Sequence, residues 1–469
     1  MADDELCWIP ASELAPAIAR RKISPVEVVE AVLARIEKTR RLNAWVTVDA
    51  EGARRAARRA ERAVMQRRPR LGPLHGVPFG VKDLVTTRGM RTTFGTPLYR
   101  DHVPDEDAPA VERLKAAGAI LIGKTNTPAF GWVGITDNLL FGVTRNPWNP
   151  ERTPGGSSGG AGAAVAAGLA PLHVGTDGGG SIRKPSAFTG TFGLKPSFGR
   201  VPVHPFSAAW SLSHVGPMTR TVKDAALMMN ILAGPDERDS TSLPAAGVDF
   251  VRALRGSLRG VRVAYSDTLG FAPAVDPEVR ALTARAARVF RELGCRVDTV
   301  NPGWPSPWPA WRAIFLGGIA NRLMPYLARR GDIDPGLQAI VDEVLRWGPT
   351  VYVQAWFDRL AWWPRARDFF ARYDLLLTPT TATAAFEHGI LYPAEIDGVP
   401  VDREASSVFT YPFNLTGQPA ASVPCGFTRA GLPVGLQIVG RRFDDALVLR
   451  ASAAFEAARP WAARRPPEP

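Results

Sequence analysis

The spacing of apolar and polar positions divides the chain into stretches of different texture. Up to about residue 70 it predicts helices. Ser24-Pro25-Val26-Glu27 is a capping box with proline at the first helical position, and Ile23 and Val28 are placed to staple the entry. That helix is predicted to run to about Lys38. Residues 44–48 read as a strand, and the Arg/Ala-rich stretch from Glu51 to about Arg67 as a second, strongly polar helix. From Leu74 onward, short apolar strands alternate with tight Gly/Pro turns. Residues 77–81 predict a strand that delivers Lys82 and Asp83 at its end. Asp107 is placed to cap a helix reaching Ala117, with Pro109 in its first turn and Gly118 ending it; residues 119–122 then read as a buried strand. Beyond Pro235 the order is strand, helix, strand. Residues 261–265 are followed by a helix that Asp276 caps, with Pro277 at its first position and Gly294 at its end, and then by a strand over 296–300.

Two stretches stand apart from this alternation. Residues 155–200 are dense in glycine, and the helix expected at about 158–169 is built almost wholly of Ala, Gly and Val. A helix with no polar face has to be buried, and small side chains let neighbouring backbone come close, so the centre of the protein is expected here. Seven of the 13 tryptophans lie between Trp304 and Trp363, in a helical, proline-interrupted stretch. Aromatic packing is the ordinary explanation; a lid or wall of an apolar substrate pocket is the sharper one. With no repeat and no convincing linker, the expectation is one α/β domain over 1–469. It has an N-terminal helical part (1–70), a core (71–235) and a C-terminal part (236–469) that holds the Trp-rich insert at about 300–365.

Composition narrows the class. A chain that is 45% hydrophobic and 22% charged is ordinary globular material. No apolar run approaches the ~20 residues of a membrane span, and the acidic Met1-Ala2-Asp3-Asp4-Glu5 start is unlike a signal peptide. A soluble cytoplasmic protein without a membrane partner is expected. Cys7, Cys295 and Cys425 lie far apart, and the six histidines show no ligand spacing, so neither a metal nor another cofactor is expected. The net charge of +12 raises the question of nucleic acid. Its arginines, such as Arg54, Arg55, Arg58, Arg59 and Arg62, are interspersed with Ala and Glu along a helix, and no aromatic-interleaved RNA motif accompanies them. A solvated helix face accounts for them, and no nucleic-acid partner is expected. Lysine usage is more telling. Of eight lysines, six (Lys82, Lys115, Lys124, Lys184, Lys195 and Lys223) fall between positions 82 and 223. Arginine stays charged at any working pH, whereas a desolvated lysine can lose its proton and act as a base.

Three motifs compete for the chemistry. Residues 118–125, Gly-Ala-Ile-Leu-Ile-Gly-Lys-Thr, fit the phosphate-loop pattern, but a helix precedes Gly118, the middle reads as a strand, and Pro128 stands where a helix should run. Gly155-Gly156-Ser157-Ser158-Gly159 fits a nucleophile elbow with Ser157 attacking. Of the downstream histidines only His388 is near the expected place, and its neighbours lend no support. The third reading treats residues 76–202 as one site: Lys82 at a strand end, Ser157 and Ser158 at a helix start, and Ser181 after three glycines.

These segments resemble the amidase signature family. The resemblance is carried by Gly-Lys-Thr-Asn at 123–126, Asn-Pro-Trp at 146–148, Gly-Gly-Ser-Ser-Gly-Gly at 155–160, residues 175–183 (Gly-Thr-Asp-Gly-Gly-Gly-Ser-Ile-Arg) and Phe-Gly-Leu-Lys-Pro at 192–196. Residues 412–419 and 432–437 look like the family's C-terminal segments, and the likeness is weakest in the Trp-rich insert. It implies a central mixed β-sheet flanked by helices and an amide hydrolase with a Ser–Ser–Lys triad. Ser181 would be the nucleophile, Ser157 (on a cis peptide in the family) the bridge, and Lys82 the base, with Ser158 in support. The backbone amides of Gly178, Gly179 and Gly180, with that of Ser181, would form the oxyanion hole, buttressed by Asp177 and Arg183.

The substrate is less defined. The resemblance places Phe130, Gly131 and Trp132 on the acyl side of the site, and the later tryptophans could supply another wall. That composition points to a small-molecule amide, aryl or bulky and apolar. Two alternatives stay open: the amidotransferase subunit that makes amidated aminoacyl-tRNA, and a catalytically silent binding protein. By analogy with the family, a homodimer is the expected assembly.

Overall fold

In the computed structural model, which describes residues 3–66 and 71–468, the strands are Trp45–Val48 (β1), Pro78–Lys82 (β2), Ile120–Thr125 (β3), Leu172–Asp177 (β4), Phe192–Lys195 (β5), His214–Thr219 (β6), Arg262–Tyr265 (β7), Arg296–Thr299 (β8), Leu375–Pro379 (β9), Glu395–Ile396 (β10), Val399–Pro400 (β11), Ala420–Phe427 (β12) and Pro433–Gly440 (β13). All but the small β10–β11 hairpin join one sheet, ordered β1-β3-β2-β4-β6-β5-β12-β13-β9-β7-β8. The sheet is mixed: β2 runs parallel to β3 and β4, β7 is parallel to β8 and β9, and the centre from β4 through β13 to β9 is antiparallel. The expected α/β fold is therefore the observed one. No helix among the described residues is long and apolar enough to cross a membrane.

Local signals acted much as their chemistry requires. The helix Pro25–Lys38 opens on Ser24 with both halves of its capping box made, a device worth about 1 kcal/mol. The polar helix spans Ala50–Met65, capped by Asp49; its predicted end at Arg67 lies outside the described residues. The helix Pro277–Glu292 is capped by Asp276, which accepts from the Glu278 and Val279 amides. One cap differs. The helix Pro109–Ala116 starts from Ala108, because proline at the first position sets the cap one residue later than expected. Asp107 instead accepts from the Arg88 amide and the Lys115 ammonium, each at 2.8 Å.

Within the first 70 residues the strand expected over 44–48 is β1, which pairs with β3 and forms one edge of the sheet. The Ala/Gly/Val helix is Gly159–Ala166, and every residue in it is buried. At Gly160 a Cβ would lie 2.3 Å from the Asn126 backbone nitrogen, so only glycine lets the helix start come this close to the end of β3. The Trp-rich stretch forms the helices Trp308–Leu323, Pro335–Val344 and Pro349–Arg372.

Candidate active site

Two parallel neighbours set the site. Val81 of β2 pairs with Val174 of β4, so the C-terminal ends of both strands emerge together. Lys82 ends β2, and Thr176 and Asp177 end β4. Lys82 Nζ is wholly buried and donates to Ser157 Oγ at 2.7 Å and to Thr176 Oγ1 at 2.9 Å. Burial drives its pKa well below that of an ordinary lysine, opposed in part by the charge of Asp177. A neutral amine that holds a serine hydroxyl is what a general base requires. Ser157 follows a cis peptide from Gly156 and sits, with Ser158, at the N-terminus of the buried helix. Ser158 accepts from the Thr176 amide at 3.3 Å and donates to the Thr176 carbonyl at 3.0 Å, while its own amide donates to the Ser181 carbonyl at 3.1 Å. The three expected serines and the lysine are thus drawn to one place.

The loop 178–181 is held from outside by its carbonyls. Trp311 Nε1 donates to the Gly178 carbonyl at 2.9 Å, Thr410 Oγ1 to that of Gly179 at 2.7 Å, and the Lys184 amide to that of Gly180 at 2.7 Å. In a trans peptide the N–H points opposite to the carbonyl. Fixing the carbonyls of Gly178 and Gly180 therefore turns the amides of Gly179 and Ser181 the other way. Gly180 differs from expectation: its N–H donates to Asp177 Oδ1 at 2.7 Å, in a conformation with φ of 122° that favours glycine.

Asp177 and Arg183 lie beneath this loop, both fully buried, joined by bonds of 2.8 and 3.0 Å. Burial alone would raise the Asp177 carboxyl; the charge and hydrogen bonds of Arg183, with Lys195 and Asn414, outweigh it and hold the group well below the usual carboxylate range. The remaining Arg183 donors reach the Thr410 carbonyl, Gln437 Oε1 and Asn414 Oδ1.

Ser157, Thr176, Gly178 and Ser181 open onto a cavity of about 390 Å³, a volume in the range of small-molecule sites. Phe94, Tyr99, Phe130, Phe206 and Phe315 form much of its apolar wall. Phe94 stacks with Phe130 at 6.2 Å, and Tyr99 meets both edge-on. His102 and His204 also line it, but His204 bonds to Glu106, and neither bonds to a serine of the site among the described residues. His388 lies elsewhere, against Arg145 at 3.1 Å. Lys124 of the phosphate-loop pattern is buried on β3, where it donates to the Val85 carbonyl and to Thr87 and Thr92.

The Amidase family profile matches residues 27–449 of the chain. The chain belongs to the amidase family. It is 42% identical to an acylamidase of Rhodococcus erythropolis over 472 residues, covering 99% of this chain and 98% of that one. It is 39% identical to a glutamyl-tRNA(Gln) amidotransferase subunit of Roseiflexus sp. (strain RS-1), covering 98% of each. Among solved structures it resembles a bacterial aryl acylamidase of the amidase signature family, with a TM-score of 0.91 at 37% identity over 97% of both chains. It is also similar to 6-aminohexanoate cyclic dimer hydrolase, with a TM-score of 0.89 at 31% identity over 98% of this chain and 99% of that one. As an amidase, the protein is a hydrolase of amide C–N bonds.

The structure adds residues that sequence reasoning did not single out for this amidase. Thr176 shares the lysine with Ser157. Asn414, Thr410 and Gln437 complete the cradle of Asp177 and Arg183; two of them lie in C-terminal strings that already carried the family likeness, so a signal existed. The tryptophans divide. Trp304 and Trp362 pack edge to face in the core, as the ordinary explanation has it. Trp308 and Trp311 line a second, smaller compartment beside Ser181. The large cavity takes its walls from Phe94, Tyr99 and the 202–209 loop, and from Phe315 and Arg322 of the Trp-rich stretch.

Proposed function

We propose that this amidase hydrolyses a carboxylic amide to carboxylate plus amine or ammonia through an acyl-enzyme on Ser181, preferring aryl or bulky apolar amides. The observation that carries the mechanism is the buried, uncharged-leaning Lys82 bonded to Ser157 at 2.7 Å. Neutral Lys82 takes the Ser157 proton as Ser157 takes that of Ser181, and Ser181 Oγ adds to the carbonyl carbon. The amides of Gly179 and Ser181 receive the oxygen that becomes negative; losing one such donor typically costs ~10²–10³ in turnover. The proton then returns from Lys82 through Ser157 to the nitrogen as the C–N bond breaks. Water, deprotonated along the same path, releases the acid and restores Ser181.

The preference is supported by the aromatic wall of the cavity and by likeness to an acylamidase and an aryl acylamidase. Purified enzyme is expected to cleave 4-nitroacetanilide with a kcat/KM at least ~10²-fold above acetamide, because burying one aromatic ring supplies a few kcal/mol. Comparable turnover of the two removes the preference. Ammonia release from glutamine that depends on charged tRNA, with no anilide cleaved, assigns the chain to the amidotransferase role instead.

A further inference from the structure

A second compartment meets the apolar cavity at Ser181. Its free volume is about 30 Å³, by a measure in which ~10–15 Å³ admits one water, so it suits a compact polar group and excludes a ring. Two cations line it. Lys184, one turn past Ser181 and 2% exposed, donates from Nζ to Ser407 Oγ at 2.7 Å. Arg403 donates from Nη2 to the Trp132 carbonyl at 2.7 Å and lies over the Trp132 ring at 5.1 Å.

Neither cation has a carboxylate within ion-pair distance among the described residues. The acids nearby are engaged elsewhere: Asp177 by Arg183, Glu343 by Arg312 at 2.5 Å, and Glu404 by the hydroxyls of Ser306 and Tyr411. Two basic groups lining one small space without a counter-charge disfavour each other's protonation, and a bound anion relieves this. Burial, and then the charge of Arg403, push the Lys184 ammonium down to about 7, the direction expected of a lysine without its anion.

The two compartments also differ in their access to the proton path. Ser157 lines the large cavity, and only its neighbour Gly156 lines the small one. The departing nitrogen must meet Ser157, which places the amine in the aromatic cavity and the acyl chain in the cationic compartment.

We propose that Lys184 and Arg403 bind a carboxylate at the end of a short acyl chain, so that N-aryl half-amides of small dicarboxylic acids are the substrates this site takes best. The inference rests on the reading of Ser181 as nucleophile and Ser157 as donor to the leaving nitrogen. Of the three residues expected on the acyl side, it extends Gly131 and Trp132 into a charged subsite and moves Phe130, which lines the aromatic cavity, to the amine side.

The test compares purified enzyme on the 4-nitroanilides of succinic and glutaric acid with the same anilides whose free carboxylate is replaced by a neutral primary amide. The carboxylates are expected to show a kcat/KM roughly 10- to 100-fold higher, the equivalent of one charge-assisted hydrogen bond. Lys184→Met and Arg403→Met should each bring that ratio toward one, while Lys184→Arg and Arg403→Lys keep part of it. A wild-type ratio at or below one, with the neutral anilides turned over, overturns the subsite and leaves the anilide reading standing. Failure to cleave any anilide overturns that reading and the subsite with it. The wild-type ratio decides the matter even where a variant does not fold.

Discussion

Lys82→Ala is expected to lower kcat/KM by about 10⁴-fold or more, the scale seen when one member of a cooperating nucleophile–base unit is removed. In the proposed mechanism Lys82 takes the proton: it is wholly buried, bonded to Ser157 and Thr176, and its pKa is driven well below that of an exposed lysine. Lys82→Arg should not restore activity, since a guanidinium stays protonated and cannot act as a base. The pH profile carries the same information. The neutral amine is the active form, so wild-type kcat/KM should rise with pH through the folded-state pKa of Lys82 and level off well below 10.5, the ordinary lysine value. A Lys82→Ala enzyme that keeps wild-type turnover, or a wild-type profile that climbs only near pH 10.5, would remove Lys82 from the mechanism.

Arg183→Met should be the most damaging single change to stability near the site. It leaves Asp177 buried without its ion-pair partner and strands the Thr410 carbonyl, Gln437 Oε1 and Asn414 Oδ1, each of which accepts from Arg183 within 2.9 Å. Breaking a buried pair by removing one partner costs about 3–5 kcal/mol, readable by denaturant unfolding. Asp177 also grips the Gly180 and Ile182 amides on either side of Ser181, so turnover should fall with stability. The double variant Asp177→Leu/Arg183→Met separates the effects: removing both charges should return part of the stability, while activity stays lost because the Gly180 and Ile182 amides lose their acceptor. Recovery of both together would mean that the pair serves folding alone.

The parts of this fold that were legible in the sequence are those written in local chemistry. Ser24 with Glu27, Asp276 with Pro277, and the polar-free run 159–166 each state their structure within a few residues. Lysine usage was informative beyond the base. Lys82, Lys124, Lys184 and Lys195 are all buried, so this arginine-rich chain does keep lysine where a slim, desolvatable cation is needed. What was hidden is non-local. Strands β4, β6 and β13 are covered on both faces, so they show no alternation, and they carry His, Gly and Pro that read as breaks. The aromatic cavity is assembled from loops near 94–99, 130 and 202–209, and Lys184 meets Ser407 223 positions away. No spacing rule joins such residues. Distinguishing Ser181 from Ser157 as nucleophile likewise rested on family likeness, because both serines open onto one cavity and the elbow pattern favours the other.

That choice is the centre of the account, and one measurement addresses it directly. The enzyme is treated with a fluorophosphonate, digested, and the modified peptide identified by mass spectrometry. The adduct is expected on Ser181, absent from Ser181→Ala, and formed much more slowly in Ser157→Ala and Lys82→Ala. An adduct on Ser157 that persists in Ser181→Ala would contradict the account and make Ser157 the nucleophile.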